Sequence, residues 1–171
     1  MPHKLISIYL AGSIRDDFVK DIEWREHMIK QLKECDDVIW SNPLAGKSFN
    51  RQTKEWKICG RIPDGQFIVN HDFWHVDHAD ICIFNFNALA DGYPNIGSLI
   101  EFGRATAQNK LIYSIVPVKY TGHTNIKLFG LHPFIDKNSA IVFDDVDSCV
   151  DFLAQYLPVL SGRYPAFAGC S

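Results

Sequence analysis

Residues 79–86 read ADICIFNF. The run is short, apolar on both alternating faces, and bounded by turn-rich NALADGYP (87–94), which marks a strand buried on both sides. A strand of that kind belongs in a parallel sheet covered by helices. Working outward, KLISIYL (4–10) ends in AGS and reads as a second such strand, although run length alone does not exclude a helix. DVIWS (37–41), KLIYSIVPV (110–118), closed by a proline, and AIVFDD (140–145) complete a set of five. Between them, residues 16–34 carry Phe18, Ile22, Ile29 and Leu32 at helical spacing among charges. Residues 65–78, roughly 95–108 and 146–157 are the other helices, with Pro94 just before or within the first turn of the third. A loop and short helix precede the last strand. Residues 42–64 show no clear period and are expected to form a long loop, a length that in compact domains is often functional. The alternation implies an α/β fold: a flavodoxin-like or Rossmann-like five-stranded parallel sheet with helices on both faces. One domain over 1–160 and a tail of small residues, SGRYPAFAGCS (161–171), account for the chain.

Such sheets bind ligands beyond the carboxyl ends of their strands, near the switch in strand order. Those ends are YLAGSIR (9–15), SNPLAGK (41–47), NFNALADGYPN (85–95) and VPVKYTG (116–122). The formal charge of −3, with no basic block, argues against a nucleic-acid polymer, which is held mainly by clustered Lys and Arg. A small ligand or a protein partner fits better. Cys35, Cys59, Cys82, Cys149 and Cys170 are widely spaced and form no C-x-x-C, so reduced thiols and a cytoplasmic location are expected rather than a disulfide or zinc framework. The N-terminal apolar stretch is too short for a signal peptide or membrane span.

One charge sits oddly. In NIGSLIEFGRA (95–105), Ile96, Leu99, Ile100 and Phe102 suit a core and Glu101 does not. On a helix, Glu101 shares a face with Gly97, Ser98, Arg104 and Ala105. Gly97 and Gly103 both cost helix propensity, which suggests a packing reason. The small neighbours leave room for a bound molecule above the carboxylate. Its place in the first two turns favours an anion, so it is expected to stay ionised and to be able to act as a nucleophile. The alternative is an i, i+3 ion pair with Arg104 on a solvated face.

Asp72 is placed to protonate a leaving group, or else pairs with a neighbouring histidine. Asp80, directly before a strand, reads better as a cap or loop-orienting group than as a catalytic one. His71, His75 and His78 share a helix face, but H-E-x-x-H is absent and no third ligand is indicated, so they read as surface or packing residues and no metal is expected. Gly12 permits close backbone approach to a ligand, and Arg15 is placed to meet a phosphate. Neither YLAGSIR nor AGKS (45–48) has the spacing of a dinucleotide or Walker A loop. Tyr9, inside its strand, reads first as core.

Together these pieces resemble the nucleoside 2-deoxyribosyltransferase family over roughly residues 4–130. IYLAGSI (8–14) looks like the family's first strand and glycine turn, with its tyrosine at Tyr9. NHDFWHVDHADICIF (70–84) resembles the segment of its active-site aspartate, which falls on Asp72, with a further aspartate at Asp80. NIGSLIEFGRATAQNK (95–110) resembles the G-x-x-x-E-x-G-x-A segment of the nucleophilic glutamate, which falls on Glu101. TNIKLFG (124–130) resembles a segment whose asparagine, here Asn125, reaches a neighbouring subunit's site and holds the sugar 5'-hydroxyl. The resemblance implies a catalytic set of Glu101, Asp72 and Tyr9. It implies substrate contacts from Gly12, Ser13, Asp91, Asn95, Gly97, Ser98 and Asn125, a homo-oligomer with shared sites, and no cofactor. The substrates implied are a deoxyribonucleoside and a free nucleobase, in nucleoside salvage. The chain departs from some transferases at Asn95, where they carry an aspartate, a role that Asp91 in the longer loop is placed to take. It also lacks a clear match to their C-terminal carboxylate.

GSIR (12–15) is also close to the start of the sister group, the 2'-deoxynucleoside 5'-monophosphate N-hydrolases. Those place serines around the phosphate where this chain has Asn95 and Asn125, which favours an uncharged 5'-hydroxyl, although Arg15 and Lys47 keep a phosphate possible. A third reading is a non-catalytic nucleotide sensor, which leaves Glu101 without a role.

Overall fold

A computed structural model describes residues 4–14, 18–50, 52–53, 55–90, 95–116 and 133–162. Arg15, Asp91, Pro94, Asn125 and the tail beyond 162 lie outside the described residues. The sheet is built from β1 (Ile6–Gly12), β2 (Val38–Ser41), β5 (Ile81–Asn85), β6 (Leu111–Ile115) and β7 (Ile141–Phe143). Its order is β2-β1-β5-β6-β7 and every pairing is parallel. Counting only these five strands, that is the flavodoxin-like order expected, with the reversal between β1 and β5.

Side chains alternate across each strand, and the alternation sorts the core into two halves. Ile6, Ile8 and Leu10 of β1 and Ile81 and Ile83 of β5 face α1 (Phe18–Gln31) and the last helix, where Met28, Leu32, Cys149, Leu153 and Leu157 are buried against them. Tyr9, Ala11, Cys82 and Phe84 face the other way, toward α2 (Gly65–His78) and α4 (Ile96–Ala107), whose Val76, Phe102 and Ala105 close that side. α3 (Asn87–Ala90) is a single turn within the expected loop, α5 (Pro133–Asn138) is the short helix before β7, and α6 (Val146–Leu160) ends the described chain. Two helices start on aspartate caps: Asp64 accepts from Phe67 N at 2.6 Å and Asp145 from Ser148 N at 2.7 Å.

The segment 42–64 is not the loop expected. β3 (Lys47–Asn50) and β4 (Glu55–Ile58) form an antiparallel hairpin, with Lys47 opposite Ile58. The strands are four residues each: KSFN carries one apolar group, and the alternation in EWKI spans too few residues to stand out. Local polar chemistry shapes the hairpin instead. Asn50 Oδ1 accepts from the backbone of Gln52 and Thr53 at the turn, and Gly46 enters it at φ +73°.

Helices α2 and α4 are clamped to each other and to β6. Arg104 grips Asp77 with both Nε (2.6 Å) and Nη2 (2.7 Å), and Gln108 Nε2 adds a third donor at 2.5 Å. Lys110 bonds the carbonyls of Asp77 and Ala79, and the Arg104 guanidinium lies 4.4 Å over the Phe73 ring. Among the described residues, no helix is long and apolar enough to cross a membrane, and Cys59, Cys82 and Cys149 are in no disulfide.

The Arg104 hydrogen bond lowers the Asp77 carboxyl from 3.8 to about 2. A depressed carboxyl stabilises the fold above its unfolded pKa and loses that effect as pH falls through its folded one. Asp77→Asn is therefore expected to cost about 1 kcal/mol at pH 7, the scale of a partly exposed bidentate pair. In urea unfolding the difference from wild type should shrink between pH 4 and pH 2. An equal difference at both pH values would rule out the ionic contribution.

Candidate active site

Three of the side chains singled out from sequence meet over the carboxyl end of β1. Glu101 projects from the second turn of α4 on the same inward side as Ser98 and Ala105, both buried. Tyr9, buried in β1, donates its hydroxyl to the Glu101 carboxyl. Asp72, in the second half of α2, is close enough to act electrostatically on both. The clamp at Asp77 and Arg104 holds the two acid-bearing helices together, so Arg104 is engaged away from Glu101, and the alternative i, i+3 surface pair does not form.

Burial raises the Glu101 carboxyl from 4.5 to about 8, and the charge of Asp72 adds to the shift. The Tyr9 hydrogen bond, Arg25 and Lys47 act in the opposite direction and do not overcome it. The expected ionised carboxylate is therefore corrected: near neutral pH Glu101 holds its proton. The dipole of a helix end is worth about 0.3–1 kcal/mol. That is less than the cost of removing a carboxylate from water beside another acid. Tyr9 is pushed well above 10 by burial and then by both acids, which keeps its hydroxyl a donor.

Two cations lie within this site that the sequence did not single out for these roles. Lys47, brought by the hairpin, has a side chain only 5% exposed and places Nζ 3.2 Å from Asp72 Oδ1. Arg25 is fully buried beneath β1 and donates to the carbonyls of Leu10 (3.1 Å), Gly12 (3.0 Å) and Asp21 (2.5 Å). Burial lowers its guanidinium to about 10, so it remains charged near neutral pH. Arg25 sits on the i, i+4, i+7, i+11 row of Asp21, Met28 and Leu32, all buried. The helical spacing read from Phe18, Ile22, Ile29 and Leu32 shares only Leu32 with that row, and an arginine on a helix reads as solvated. Nothing in KSFN (47–50) marks Lys47 as buried; only the register of the hairpin does.

Gly12 has a packing reason. A Cβ there would lie 3.0 Å from Trp24 Cζ2, 3.2 Å from Arg25 Nη2 and 3.3 Å from the Asn85 carbonyl. Ser13 follows, half-buried at the strand's mouth. Asn95 is buried just before α4; its Oδ1 accepts from Ser98 Oγ at 3.1 Å, and its Nδ2 has no partner among the described residues. Ser98 thus spends its hydroxyl on Asn95. Gly97 and Gly103 are both exposed, and a Cβ at either meets nothing among the described residues, so the expected packing reason is not found there. Ile96 and Ile100 are likewise corrected from core to surface, 62% and 55% exposed, because the helix turns Phe102 and Ala105 inward instead.

Asp80 lies at the opposite end of β5, where it accepts from Ser7 N and Lys4 Nζ, each at 2.9 Å. It orients the strand entry, as the non-catalytic reading has it. His71 and His75 are half-buried beside Asp72, whereas His78 bonds the Trp74 carbonyl. Next to Asp72 opens a cavity of about 190 Å³ lined by Ile14, Lys47, Ile58, Pro63 and Ile68. Its apolar walls and two charged groups suit a flat heteroaromatic ring. A larger apolar groove of about 540 Å³ lies on the far side of α4, between Phe102, Gly103, Phe134 and Ile135.

The sheet order defines an α/β protein of flavodoxin-like topology, and the two acids Glu101 and Asp72 lie near one another by its topological switch point. No protein-family model and no curated protein sequence matches the chain. Solved structures do. A conserved protein from Enterococcus faecalis aligns with a TM-score of 0.63 at 16% identity, over 88% of this chain and 98% of that one. A 2-desoxiribosyltransferase from Leishmania mexicana aligns at 0.55 with 19% identity, and the Clostridium botulinum CMP N-glycosidase BcmB at 0.52 with 19%, each over the same shares of the two chains. The chain shares the fold of these proteins.

An acid whose folded pKa is raised contributes stability that is complete below its unfolded pKa and is lost as pH rises through its folded one. Stability should accordingly fall between pH 4.5 and pH 8 through Glu101. Glu101→Gln removes that dependence. The variant should gain on wild type across this window, on the order of 2 kcal/mol by pH 8 after allowance for partial exposure. A carboxyl-carbon NMR titration of Glu101 with a midpoint below 5 would contradict the burial argument.

Proposed function

We propose that the protein is a nucleoside 2-deoxyribosyltransferase working by double displacement through a deoxyribosyl ester of Glu101. The observation that carries this reading is the half-buried Glu101 carboxyl, hydrogen-bonded to Tyr9 and close to Asp72 where the strand order reverses. The shared fold with a desoxiribosyltransferase and a CMP N-glycosidase supports it.

The base of a deoxyribonucleoside enters the cavity beside Asp72, with C1' over Glu101. As the glycosidic bond stretches, positive charge develops on the sugar and favours the ionised form of Glu101, reversing the balance that burial sets. The Glu101 proton passes to the acid pair's other member, Asp72, which delivers it to the departing base. Tyr9 keeps its hydrogen bond to Glu101 and aims one carboxylate oxygen at C1'. Attack forms the ester and inverts C1'; the incoming base attacks the same carbon, gives its proton to Asp72, and restores the configuration. In this reading Gly12, Ser13, Asn95, Gly97 and Ser98 shape the sugar side, with Asp91 and Asn125 completing it. A homo-oligomer with shared sites and a place in nucleoside salvage belong to the same proposal.

The second reading is N-glycosidase action on a 2'-deoxynucleoside 5'-monophosphate, with water as acceptor. The likeness of GSIR (12–15) to the N-hydrolases suggests it, with Arg15 and Lys47 keeping a phosphate possible; Lys47 is bound to Asp72 beside the proposed base cavity, which favours the nucleoside.

Incubation with thymidine and free adenine, and separately with deoxynucleoside monophosphates, distinguishes the readings by chromatography. Deoxyadenosine is the expected product; base release from monophosphates alone would replace the transferase by the hydrolase, and no turnover in either would favour the sensor. Glu101→Ala should lower kcat by at least about a thousandfold, the scale of losing a nucleophile, with the fold retained by circular dichroism. Mass spectrometry of the acid-quenched enzyme should find one deoxyribosyl group on the Glu101 peptide.

A further inference from the structure

Asp72 does not stand alone on α2. His71 Nδ1 lies 3.0 Å from Asp72 Oδ1, His75 Nε2 lies 3.2 Å from His71 Nε2, and Ser41 Oγ is hydrogen-bonded to His75 Nδ1. The chain runs from the carboxyl end of β2 across one face of α2, beside the site. Ser41 pairs with Tyr9 in the sheet, and the His75 ring is parallel to the Tyr9 ring at 6.0 Å.

With neutral rings, each step has one solution. Asp72 Oδ1 already takes the Lys47 ammonium and acts as an acceptor, so His71 Nδ1 carries a hydrogen and donates. His71 Nε2 is then bare and accepts from His75 Nε2–H. His75 Nδ1 is in turn bare and accepts from the Ser41 hydroxyl. All three hydrogens point toward Asp72. Burial, followed by His71 and Lys47, lowers the His75 pKa, which agrees with a neutral ring. Both donors to Asp72 meet Oδ1, and no partner of Oδ2 is seen among the described residues. The two Nε2 atoms would also suit one tetrahedral zinc, but the described residues hold no group of three ligands.

We propose that His71, with its tautomer set by His75 and Ser41, is a positioning residue that anchors Oδ1 of Asp72 and leaves Oδ2 to meet the leaving base. The role of Asp72 rests on the function proposed above; the hydrogen-bond chain does not. A hydrogen-bonded partner behind a catalytic group fixes its orientation, and losing one commonly costs about 10–100-fold.

The test has two independent arms. Nitrogen-15 NMR of the full-length protein in chelator at pH 7.5 should find His71 in the Nδ1–H form and His75 in the Nε2–H form. Ser41→Ala should release the His75 preference. An Nε2–H tautomer at His71 overturns the proposal whether or not the protein turns over any nucleoside. In the kinetic arm, His71→Ala should lower kcat at least about tenfold with little change in KM. His71→Asn, which keeps an N–H near the Nδ1 position, should recover most of it. A substrate whose base leaves as a stable anion should be nearly indifferent to either change. A His71→Ala enzyme as fast as wild type, or a His71→Asn enzyme as slow as His71→Ala, rejects the positioning role. Absence of base release by wild type rejects the transfer chemistry instead, with the NMR arm still deciding the chain.

Discussion

The parallel pairing of β1 with β5, from Ile8 against Ile81 to Gly12 against Asn85, is the constraint on which the rest depends. The strand order reverses across that pair, so the connections leave in opposite directions and a crevice opens beyond the strand ends. Gly12 and Arg25 make the pairing possible there. Gly12 gives up its side chain so that Trp24, Arg25 and Asn85 can close on the strand, and Arg25 bonds the Leu10 and Gly12 carbonyls from below. The same pair carries Tyr9 on its helical side, and Tyr9 receives Glu101.

Two acids near one another out of water are costly, and the molecule distributes that cost among fixed partners. Lys47 and His71 meet Asp72, Tyr9 meets Glu101, and Arg25 supplies charge from beneath. Even so, burial pushes the Glu101 carboxyl up to about 8. In the function proposed above, a carboxyl that burial keeps protonated becomes an anion only as positive charge develops opposite it, which matches it to a cationic transition state rather than to a ground state. Asp77 and Arg104 contribute at a distance, by fixing the helices that carry the two acids.

Much of this was legible from residues alone, and the reasons differ by element. ADICIFNF declares a buried strand because burial on both faces leaves no polar alternation. Glu101 declares itself because a charge among Leu99, Ile100 and Phe102 conflicts with its neighbours. Asp80 is correctly read as a structural group from its place before a strand. The hairpin over 47–58 is silent because KSFN has one apolar group and the alternation in EWKI is only four residues long, and Lys47 is silent with it. Arg25 goes unmarked for a related reason: a titratable group on a helix is ordinarily solvated, and only its partners show otherwise, whereas the pairing of Asp72 with a neighbouring histidine was open from the sequence.

By itself, the sequence determined the alternation of strands and helices, the parallel character of the sheet and the candidacy of Glu101, Asp72 and Tyr9. The alternation, the sheet and the oddity of Glu101 follow from local periodicity and from apolar runs that have one comfortable environment; Tyr9, which reads by itself as core, and the grouping of the three come from the family resemblance. Tertiary structure decided what the candidates are chemically. Whether Glu101 is ionised, which oxygen of Asp72 is free, which tautomer His71 adopts and where Ile96 and Ile100 point all depend on residues tens of positions away in the chain. Desolvation and hydrogen-bond direction are properties of the assembled site, and no window of sequence contains them.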